Sequence, residues 1–476
     1  MALFSRYASP QREILRRLYR TRAWREVRSD PQALEAARSG MRRPPASPSQ
    51  SQGTAQYLRE RNTAAARSAA LRDDADADRV LAALADWRGP LAEDPAFPFH
   101  FLGLVLTLDC SFEPRCLYCN QAHLPTRMSM ADWRRILAEA ARPTPPYVYL
   151  TGGEPLLLGD DVYGDDGLIA FATGLGCAVN VNTNAALITP RVAVQLVKVG
   201  LARLHISVDA ADDATQADLL RGGDRVDALW RGIRNVLIAR ELLGANHPQI
   251  HINCVLTRLN LFQFPALLRR ILGAGPQPSG DDPTSDPAFG DFGFHLIPVG
   301  GPSNAPIRPS AEEWERFYTQ TWDEAEAVWQ DHQERIGVPA GSRTTLEAHV
   351  PYANPYRRVS HGVSLAEYCR RAAEGVYWQG ALTQRCYVAP GQAFVLPDGS
   401  QQWCGAHAIR RPAPIGSVLT STLRGNIRAN ADRLGELPVA VCASCAGATC
   451  AMNQAIERNL REAAESLLAE RGKASG

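Results

Sequence analysis

The stretch LTLDCSFEPRCLYC, residues 106–119, decides how the chain folds and what it can bind. It places Cys110, Cys116 and Cys119 directly after an apolar run with the composition of a β-strand. Three thiolates can ligate metal, whereas a closed structural zinc site needs four ligands. His123 stands close enough in sequence to be the fourth. The spacing leaves two alternatives open: a zinc site, or an iron–sulfur cluster with one iron free for an external ligand.

The composition is that of a globular protein and excludes several functional classes. The chain has 476 residues, 45% hydrophobic and 21% charged, with a formal net charge of +1. A balance so near neutrality gives no field that attracts nucleic acid. No apolar run approaches the roughly 18 residues that span a membrane, and the start has no secretory segment, so we expect a cytoplasmic protein. In that compartment the 11 cysteines normally stay reduced, and clustered ones more often bind metal than form disulfides.

Two segments show no chemical motif. Residues 1–97 have the apolar spacing of polar helices around a breaker-rich linker, MRRPPASPSQSQGT at 41–54, and are predicted to form a helical docking or capping layer. Residues 306–385 have a mixed pattern with one long helical stretch beginning at Ser310. We expect this second segment to bridge two domains.

Residues 98–305 alternate between short β-rich runs and helical patterns, which predicts a parallel, right-handed α/β array. Helix starts are indicated by Ser129 with Asp132, and by Thr189 before a proline. The predicted strands are FLGLVLTLD, YVYLT, CAVNVNTN, RLHISVD, IHINCVL and FGFHLIPV. Several of them alternate polar with apolar residues, whereas a parallel sheet covered on both faces is apolar throughout. The polar face therefore predicts a partial (β/α)6 TIM-like barrel with a ligand-binding interior.

The second predicted strand runs into TGGEP, Thr151–Pro155. Paired glycines at a strand end let a ligand approach the backbone closely. The carboxylate of Glu154 suits a cationic amine. A structural zinc site explains neither feature, so this element favours the cluster alternative.

Taken in order, these motifs resemble those of the radical S-adenosylmethionine (radical SAM) enzymes. That family carries a three-cysteine loop after its first strand, with an aromatic residue before the last cysteine, and a Gly-Gly-Glu-Pro element after its second. NTNAALIT, HISVDA, LLRGG and INCVLTRLN resemble later family segments, so the likeness covers about residues 99–300. One departure is the gap of five residues between Cys110 and Cys116, where three is the commonest number.

The resemblance implies a 4Fe-4S cluster on Cys110, Cys116 and Cys119, whose vacant iron is chelated by S-adenosylmethionine. Electron transfer to the sulfonium would then give a 5′-deoxyadenosyl radical that abstracts a substrate hydrogen. By resemblance, the residues that contact S-adenosylmethionine are Tyr118, Gly152, Gly153, Glu154, Asn182, Asn184, Ser207 and Arg221. No catalytic acid or base is identified, and His205, His251 and Asp209 are only candidates facing the interior.

A second group of cysteines occupies the last quarter of the chain. Cys386, Gly399 and Cys404 have the spacing Cys-x12-Gly-x4-Cys, which resembles the SPASM and twitch extensions that carry auxiliary iron–sulfur clusters. Zinc is the physical alternative. We expect one auxiliary cluster, whose candidate ligands are Cys386, Cys404, Cys442, Cys445 and Cys450. A second would need Cys369, His407 or a non-protein ligand. Cys177, Cys254 and Cys369 are predicted to be structural.

The predicted organisation is a helical region at 1–97, a radical SAM barrel at 98–305, a bridge at 306–385 and an auxiliary iron–sulfur domain at 386–476. The leading hypothesis is an enzyme that modifies a ribosomally made peptide or protein by cross-linking, epimerisation or oxidation. The alternative is a dehydrogenase of a small molecule such as a cyclitol or sugar, and a remote one is a non-catalytic zinc protein. Either enzyme would need a one-electron reductant such as flavodoxin or ferredoxin.

Overall fold

One continuous sheet organises the chain in the computed structural model, which describes residues 3–46, 50–119, 121, 124–274, 292–350, 364–376, 385–410, 413–444 and 447–474. Its strands are β1 (Phe101–Thr107), β2 (Tyr147–Gly152), β3 (Val179–Thr183), β4 (Arg203–Ser207), β5 (Gln249–Leu256), β6 (Phe292–Pro298), β7 (Gln392–Val395), β8 (Ser400–Gln402) and β9 (Gly416–Ser417). Their order across the sheet is β6-β5-β4-β3-β2-β1-β7-β8-β9.

Strands β1 to β6 are parallel to their neighbours, and helices lie between them in the chain. The helices of this part are α7 (Met130–Ala140), α8 (Asp160–Tyr163), α9 (Leu168–Gly174), α10 (Pro190–Lys198), α11 (Asp213–Leu220), α12 (Gly223–Leu243) and α13 (Phe264–Ala274). The prediction of a partial barrel with six strand–helix repeats is confirmed. The apolar face of each strand packs on the helices, and Leu204 and Ile206 of β4 are fully buried there.

The predicted helix starts are also confirmed. Ser129 forms a complete capping box with Asp132 at the start of α7. Thr189 caps α10 by accepting a hydrogen bond from the Val192 N–H, with Pro190 in the first turn. Each cap satisfies a backbone N–H that the helix itself leaves without a partner.

The N-terminal helices cover the outside of the barrel. They are α1 (Ser9–Tyr19), α2 (Arg22–Arg28), α3 (Pro31–Ser39), α4 (Gln50–Ala70), α5 (Ala77–Leu84) and α6 (Arg88–Glu93), so the predicted linker was wrong at its end, where α4 already begins. Helices α1 to α3 pack on α10 and α12. The buried Trp24 indole donates to the Asn235 Oδ1 atom at 2.9 Å, which fixes this layer to α12.

The remaining helices are α14 (Ala311–Arg316), α15 (Trp322–Arg335), α16 (Leu346–His349), α17 (Leu365–Ala373), α18 (Gly405–Arg410), α19 (Leu423–Ala429) and α20 (Gly447–Ala474). The long helical stretch predicted from Ser310 is present, but a π-helical turn at Phe317–Thr321 separates α14 from α15. Helices α4 and α5 pack on α20, so the second half of the N-terminal region contacts the C-terminal helix. In the described part of the chain, no helix is both long and apolar enough to cross a lipid bilayer.

Strands β7 to β9 were not predicted from the sequence. β7 pairs with β1 in parallel, from Phe101 opposite Gln392 to Leu104 opposite Val395, and β8 and β9 follow as antiparallel strands. Gly103 makes this junction possible, because a Cβ there would lie 2.3 Å from the Phe394 ring. The C-terminal segment is therefore built directly onto the first strand of the barrel.

His100 precedes β1 and is only 8% exposed, beside Gly53 of α4. Burial lowers the pKa of His100 to about 4, whereas an unfolded histidine titrates near 6.5. The unfolded state therefore takes up this proton first, and stability is lost as the pH falls from about 6.5 towards 4. Between pH 7.5 and 5.5, the free energy of unfolding should fall by about 1 kcal/mol less in His100→Gln than in the wild type. Urea titrations at both pH values measure this difference, and an equal fall in both proteins would contradict it.

Candidate active site

The three cysteines of the 106–119 loop lie near one another. The thiols of Cys110, Cys116 and Cys119 act electrostatically on each other. Burial, then the carboxylate of Asp209, then the two neighbouring thiols raise the pKa of Cys116 to about 12. Burial also raises the pKa of Cys110. Without a cation these thiols favour the protonated state, so a bound metal would displace protons from them.

The three thiols fit the ligand set of an iron–sulfur cluster with one open iron, whereas a closed zinc site needs a fourth ligand. A zinc ion holds all its sulfur ligands about 2.3 Å away, which draws them together. A 4Fe-4S cluster binds each thiolate to a different iron, so the sulfurs stay farther apart. Among the residues with a described position, no three His, Cys, Asp or Glu side chains are arranged to hold a single metal ion. His123, the fourth ligand of the zinc alternative, lies outside the described residues.

Arg225 of α12 clamps the lengthened part of the cysteine loop. Its guanidinium donates to the carbonyl oxygens of Glu113 at 2.8 Å and Pro114 at 2.7 Å. It also lies 4.8 Å from the centre of the Phe112 ring, within the range of a cation–π contact. The same side chain donates to the Leu220 carbonyl at the end of α11. The additional loop residues are thus held by a charged group that the sequence analysis did not single out.

Tyr118, the aromatic residue of the loop, is anchored from two sides. Its hydroxyl donates to the Asp209 Oδ2 atom at 2.7 Å, and its carbonyl accepts from the Asn304 amide at 2.9 Å. Asp209 follows β4 and its Oδ1 atom accepts from the Val255 N–H of β5 at 2.8 Å. Burial raises the pKa of Asp209 to about 6, although these hydrogen bonds act in the opposite direction. Asp209 therefore joins the loop to the ends of two strands.

Gly152 and Gly153 form a shelf where β2 ends. A Cβ on Gly152 would lie 2.0 Å from the Thr107 oxygen, and one on Gly153 would lie 1.9 Å from the Asp109 oxygen. The Gly153 N–H donates to the Thr107 carbonyl and the Glu154 N–H to the Asp109 carbonyl, each at 2.8 Å. Any side chain would break these contacts. Both glycines are therefore required by the close approach of the two strand ends, in addition to any ligand.

The carboxylate of Glu154 has protein partners on both oxygens. It is fully buried and accepts from the Thr183 hydroxyl at 2.9 Å, the Asn184 N–H at 2.9 Å and the Leu156 N–H at 3.0 Å. Burial raises the pKa of Glu154 to about 7 against these hydrogen bonds. The side chain therefore ties the end of β2 to the end of β3. Its predicted contact with an amino group stays a prediction.

Of the other predicted cofactor residues, three lie inside the barrel and one lies at the surface. Asn182 accepts from the Asn253 amide at 2.9 Å and donates to the Thr151 hydroxyl at 3.4 Å, within the barrel. Asn184 donates to the Ser111 hydroxyl at 3.0 Å and lies 3.8 Å from the Cys110 sulfur.

Ser207 ends β4 in register with Asn253, so it joins the interior group. Arg221 differs, because it is exposed at the end of α11 in a left-handed conformation with φ 59°. The structure therefore brings Asn182, Asn184 and Ser207 to the barrel interior and leaves Arg221 at the surface.

The β7–β8 hairpin explains the C-terminal cysteine spacing. Cys386 precedes β7 and Cys404 follows β8, so the antiparallel pair returns both residues to the end of the hairpin where β1 begins. Gly399 forms the turn with φ +84°, and a Cβ there would lie 2.7 Å from Leu419. The cysteines of the loop follow the opposite end of β1. The two cysteine groups therefore lie at opposite ends of the same strand.

Two further contacts belong to the C-terminal group. The Cys442 sulfur lies 3.8 Å from the His407 Nε2 atom. Asn453 of α20 accepts from the Tyr387 N–H at 2.6 Å and donates to the Arg385 carbonyl at 3.0 Å, so it holds the backbone on both sides of Cys386.

The remaining cysteines can be assigned in part. Cys445 lies outside the described residues, and Cys450 lies in α20 with its side chain outside them. Cys177, Cys254 and Cys369 are at most 1% exposed. These last three occupy the core, as predicted.

Similarity to known proteins identifies the family. Residues 104–273 match the radical SAM superfamily. An AdoMet-dependent heme synthase of Nitratidesulfovibrio vulgaris is 30% identical over 320 residues, which cover 66% of this chain and 75% of that protein. The chain belongs to the radical SAM superfamily. The predicted family and the prediction of an enzyme are thereby confirmed. Its members use a 4Fe-4S cluster and S-adenosylmethionine.

Other similarities of this radical SAM enzyme are shorter or concern the fold. The PqqA peptide cyclase of Rhodopseudomonas palustris is 32% identical over 189 residues, covering 39% of this chain and 46% of that protein. The mycofactocin maturase MftC of Mycolicibacterium smegmatis is 31% identical over 169 residues, covering 35% and 40%. The structure of Streptococcus suis SuiB bound to precursor peptide SuiA aligns with a TM-score of 0.47 and 16% identity over 78% of this chain and 75% of that one.

The clamp on the cysteine loop gives a test within this radical SAM enzyme. Arg225→Met removes hydrogen bonds to three carbonyls and the contact with Phe112. We expect about tenfold less 5′-deoxyadenosine per minute after anaerobic reconstitution, because small displacements of reacting groups are costly. Arg231→Met is the matched control, since this arginine is exposed on the same helix.

Iron content after gel filtration, and the electron paramagnetic resonance spectrum of the reduced cluster with S-adenosylmethionine, report on the loop directly. Equal rates and spectra in both variants would show that the clamp does not position the cysteines.

Proposed function

We propose that this radical SAM enzyme modifies a peptide, with the peptide side chain held inside the barrel between two iron–sulfur clusters. The observation that carries this proposal is the barrel interior, which is polar along β3 to β5 and apolar beside β1, and which lies between the two cysteine groups at the ends of β1. The relatives named as a peptide cyclase and a maturase support a peptide substrate. This chain aligns with only 46% of the cyclase and 40% of the maturase. The reaction and the substrate are therefore proposals for this chain.

In this proposal Cys110, Cys116 and Cys119 hold the 4Fe-4S cluster that binds S-adenosylmethionine. When bound, this pair supplies an organic radical that can remove a hydrogen atom from an unactivated carbon. The chain supplies the surroundings. The backbone of Gly152 and Gly153 offers a surface without side chains at the strand end.

The remaining contacts follow from the interior positions. Tyr118 borders the cofactor from the loop, and Glu154 holds the strand ends around the amino group. Asn182, Asn184 and Ser207 offer hydrogen bonds to the ribose or carboxylate. The exposed side chain of Arg221 would have to move to reach the cofactor. Of the predicted set, Arg221 is therefore the residue with the least support.

The C-terminal cysteines are proposed to hold one auxiliary cluster. Cys386 and Cys404 are brought to the same end of the hairpin, and Cys442 lies beside His407. Cys445 and Cys450 complete the candidate ligand set. An external one-electron donor such as flavodoxin or ferredoxin would reduce the first cluster.

A second candidate function is supported by one specific observation. A relative that aligns with 66% of this chain is named a heme synthase, and heme is a small molecule. A small-molecule substrate, such as the cyclitol or sugar of the alternative hypothesis, would occupy the same barrel interior.

Two cysteine substitutions separate the roles of the clusters. Cys116→Ala should abolish the formation of 5′-deoxyadenosine, because a three-cysteine site loses a ligand. Cys386→Ala should lower the iron content yet retain measurable 5′-deoxyadenosine while product formation fails. Cys177→Ala is the control, since this fully buried cysteine lies in the core. Iron analysis and chromatography of the nucleoside measure these outcomes, and equal loss in both variants would argue against an auxiliary role.

The peptide substrate is tested by coexpression with short peptides encoded beside this gene. A change in peptide mass that requires Cys116 and Cys386 supports the proposal. Turnover of a sugar or cyclitol by the reconstituted enzyme, without any change in the peptides, would favour the second function.

A further inference from the structure

Three histidines from adjacent strands meet inside the barrel. His205 of β4 pairs with His251 of β5, and their rings stack with centroids 5.1 Å apart. His295 of β6 contacts both rings, at 4.8 Å from His205 and 5.8 Å from His251. Tyr149 of β2 adds an edge contact to His205 at 5.9 Å. We call His205, His251 and His295 the histidine layer.

Several polar atoms on this face of the strands have no partner within the described structure. His205 is 8% exposed, and its Nε2 atom is buried without a hydrogen bond. The Nδ1 atom of His251 is also buried without a hydrogen bond. Asn180 of β3 is fully buried, and both its amide atoms lack partners. Folded proteins rarely leave buried polar groups unsatisfied, so a concentration of them on one face of adjacent strands indicates a ligand.

Arg203 gives this region its charge. It lies on the same face of β4 as His205, two residues earlier, and pairs with Asn180 across the sheet. Its guanidinium donates to the Gln249 amide oxygen at 3.2 Å and lies 5.8 Å from the Tyr147 ring centre. Both partners are neutral. Within the described chain, Arg203 forms no ion pair with a carboxylate.

The histidines themselves are held neutral. Burial lowers the pKa of His205, His251 and His295, and the charge of Arg203 lowers each of them further. Among the described residues, no acidic side chain acts on these imidazoles. The region therefore offers hydrogen-bond donors and one positive charge, without an anion to balance it.

We propose that Asn180, Arg203, His205 and His251 bind a carboxylate carried by the substrate. The imidazole N–H groups and the Asn180 amide donate to its oxygens, and the guanidinium balances its charge. His205 and His251 lie level with Asn182, and Asn180 and Arg203 lie one step deeper, farther from the cysteine loop than Ser207. The carboxylate therefore holds the substrate with its reacting carbon towards the cysteine loop. This inference rests on the proposed function, in which the substrate enters the barrel. An acidic side chain of a peptide and a small carboxylic acid share this chemistry.

The test uses reconstituted holoenzyme labelled with 15N at its histidines, titrated with matched probes. N-acetyl-glutamate N-methylamide represents an acidic peptide residue, and propionate represents a small acid. N-acetyl-glutamine N-methylamide and propionamide are the neutral counterparts. We expect the imidazole signals of His205 and His251 to shift with the acids and not with the amides. Tighter binding of the glutamate probe identifies a peptide source, whereas equal or tighter binding of propionate identifies a small acid.

Variants connect the shifts to the proposed site. Arg203→Gln should weaken binding of the acid probes by about tenfold, because a hydrogen bond to a charged group is lost. His251→Leu should do the same, and Arg203→Gln carries the test if His251→Leu does not fold. His247→Gln is the control, since this buried histidine contacts the Val197 carbonyl outside the barrel interior.

Shifts that are absent, equal with the amides, or unchanged in Arg203→Gln would overturn the proposal. The outcome is distinguishable from failure of the proposed function. Acid-specific shifts in an enzyme that leaves every coexpressed peptide unmodified would keep the carboxylate site and reject the peptide. Peptide modification without acid-specific shifts would keep the peptide substrate and reject the carboxylate site.

Discussion

The close approach of two strand ends is the constraint on which the site depends. The carbonyl oxygens of Thr107 and Asp109 lie where Cβ atoms on Gly152 and Gly153 would be. Cys110 follows Asp109 directly, so this contact fixes where the cysteine loop begins. Glu154 follows the glycines and carries the constraint to Thr183 and Asn184 through its buried carboxylate. One steric contact thus positions the cysteine loop, the glycine pair and the third strand together.

The local parts of this arrangement could be predicted from the sequence, because they depend on neighbours in the chain. Strand alternation, the capping box at Ser129 and the loop spacing all act over a few residues. The glycine pair was assigned to ligand approach, and the structure adds a steric reason within the protein. Both reasons require the same residue type, so the pattern alone does not separate them.

The parts that could not be predicted join distant segments. Arg225 clamps a loop more than one hundred residues away, and nothing in its local sequence distinguishes it from its exposed neighbour Arg231. The parallel pairing of β7 with β1 depends on Gly103 opposite Phe394, which is visible only when both strands are in place. The histidine layer likewise requires the register of β4, β5 and β6, since each strand contributes one ring.

The pairing of β7 with β1 also bears on how the chain folds. The cysteine loop starts from β1. Among the described residues, the second edge of this strand is paired by residues 392–395. A nascent chain therefore completes the other barrel strands while this edge still exposes unpaired backbone groups, the condition that favours pairing with other chains. The barrel is closed on this side only when nearly four hundred residues have been synthesised. The strand that leads into the cysteine loop is in this way completed only by the last quarter of the chain.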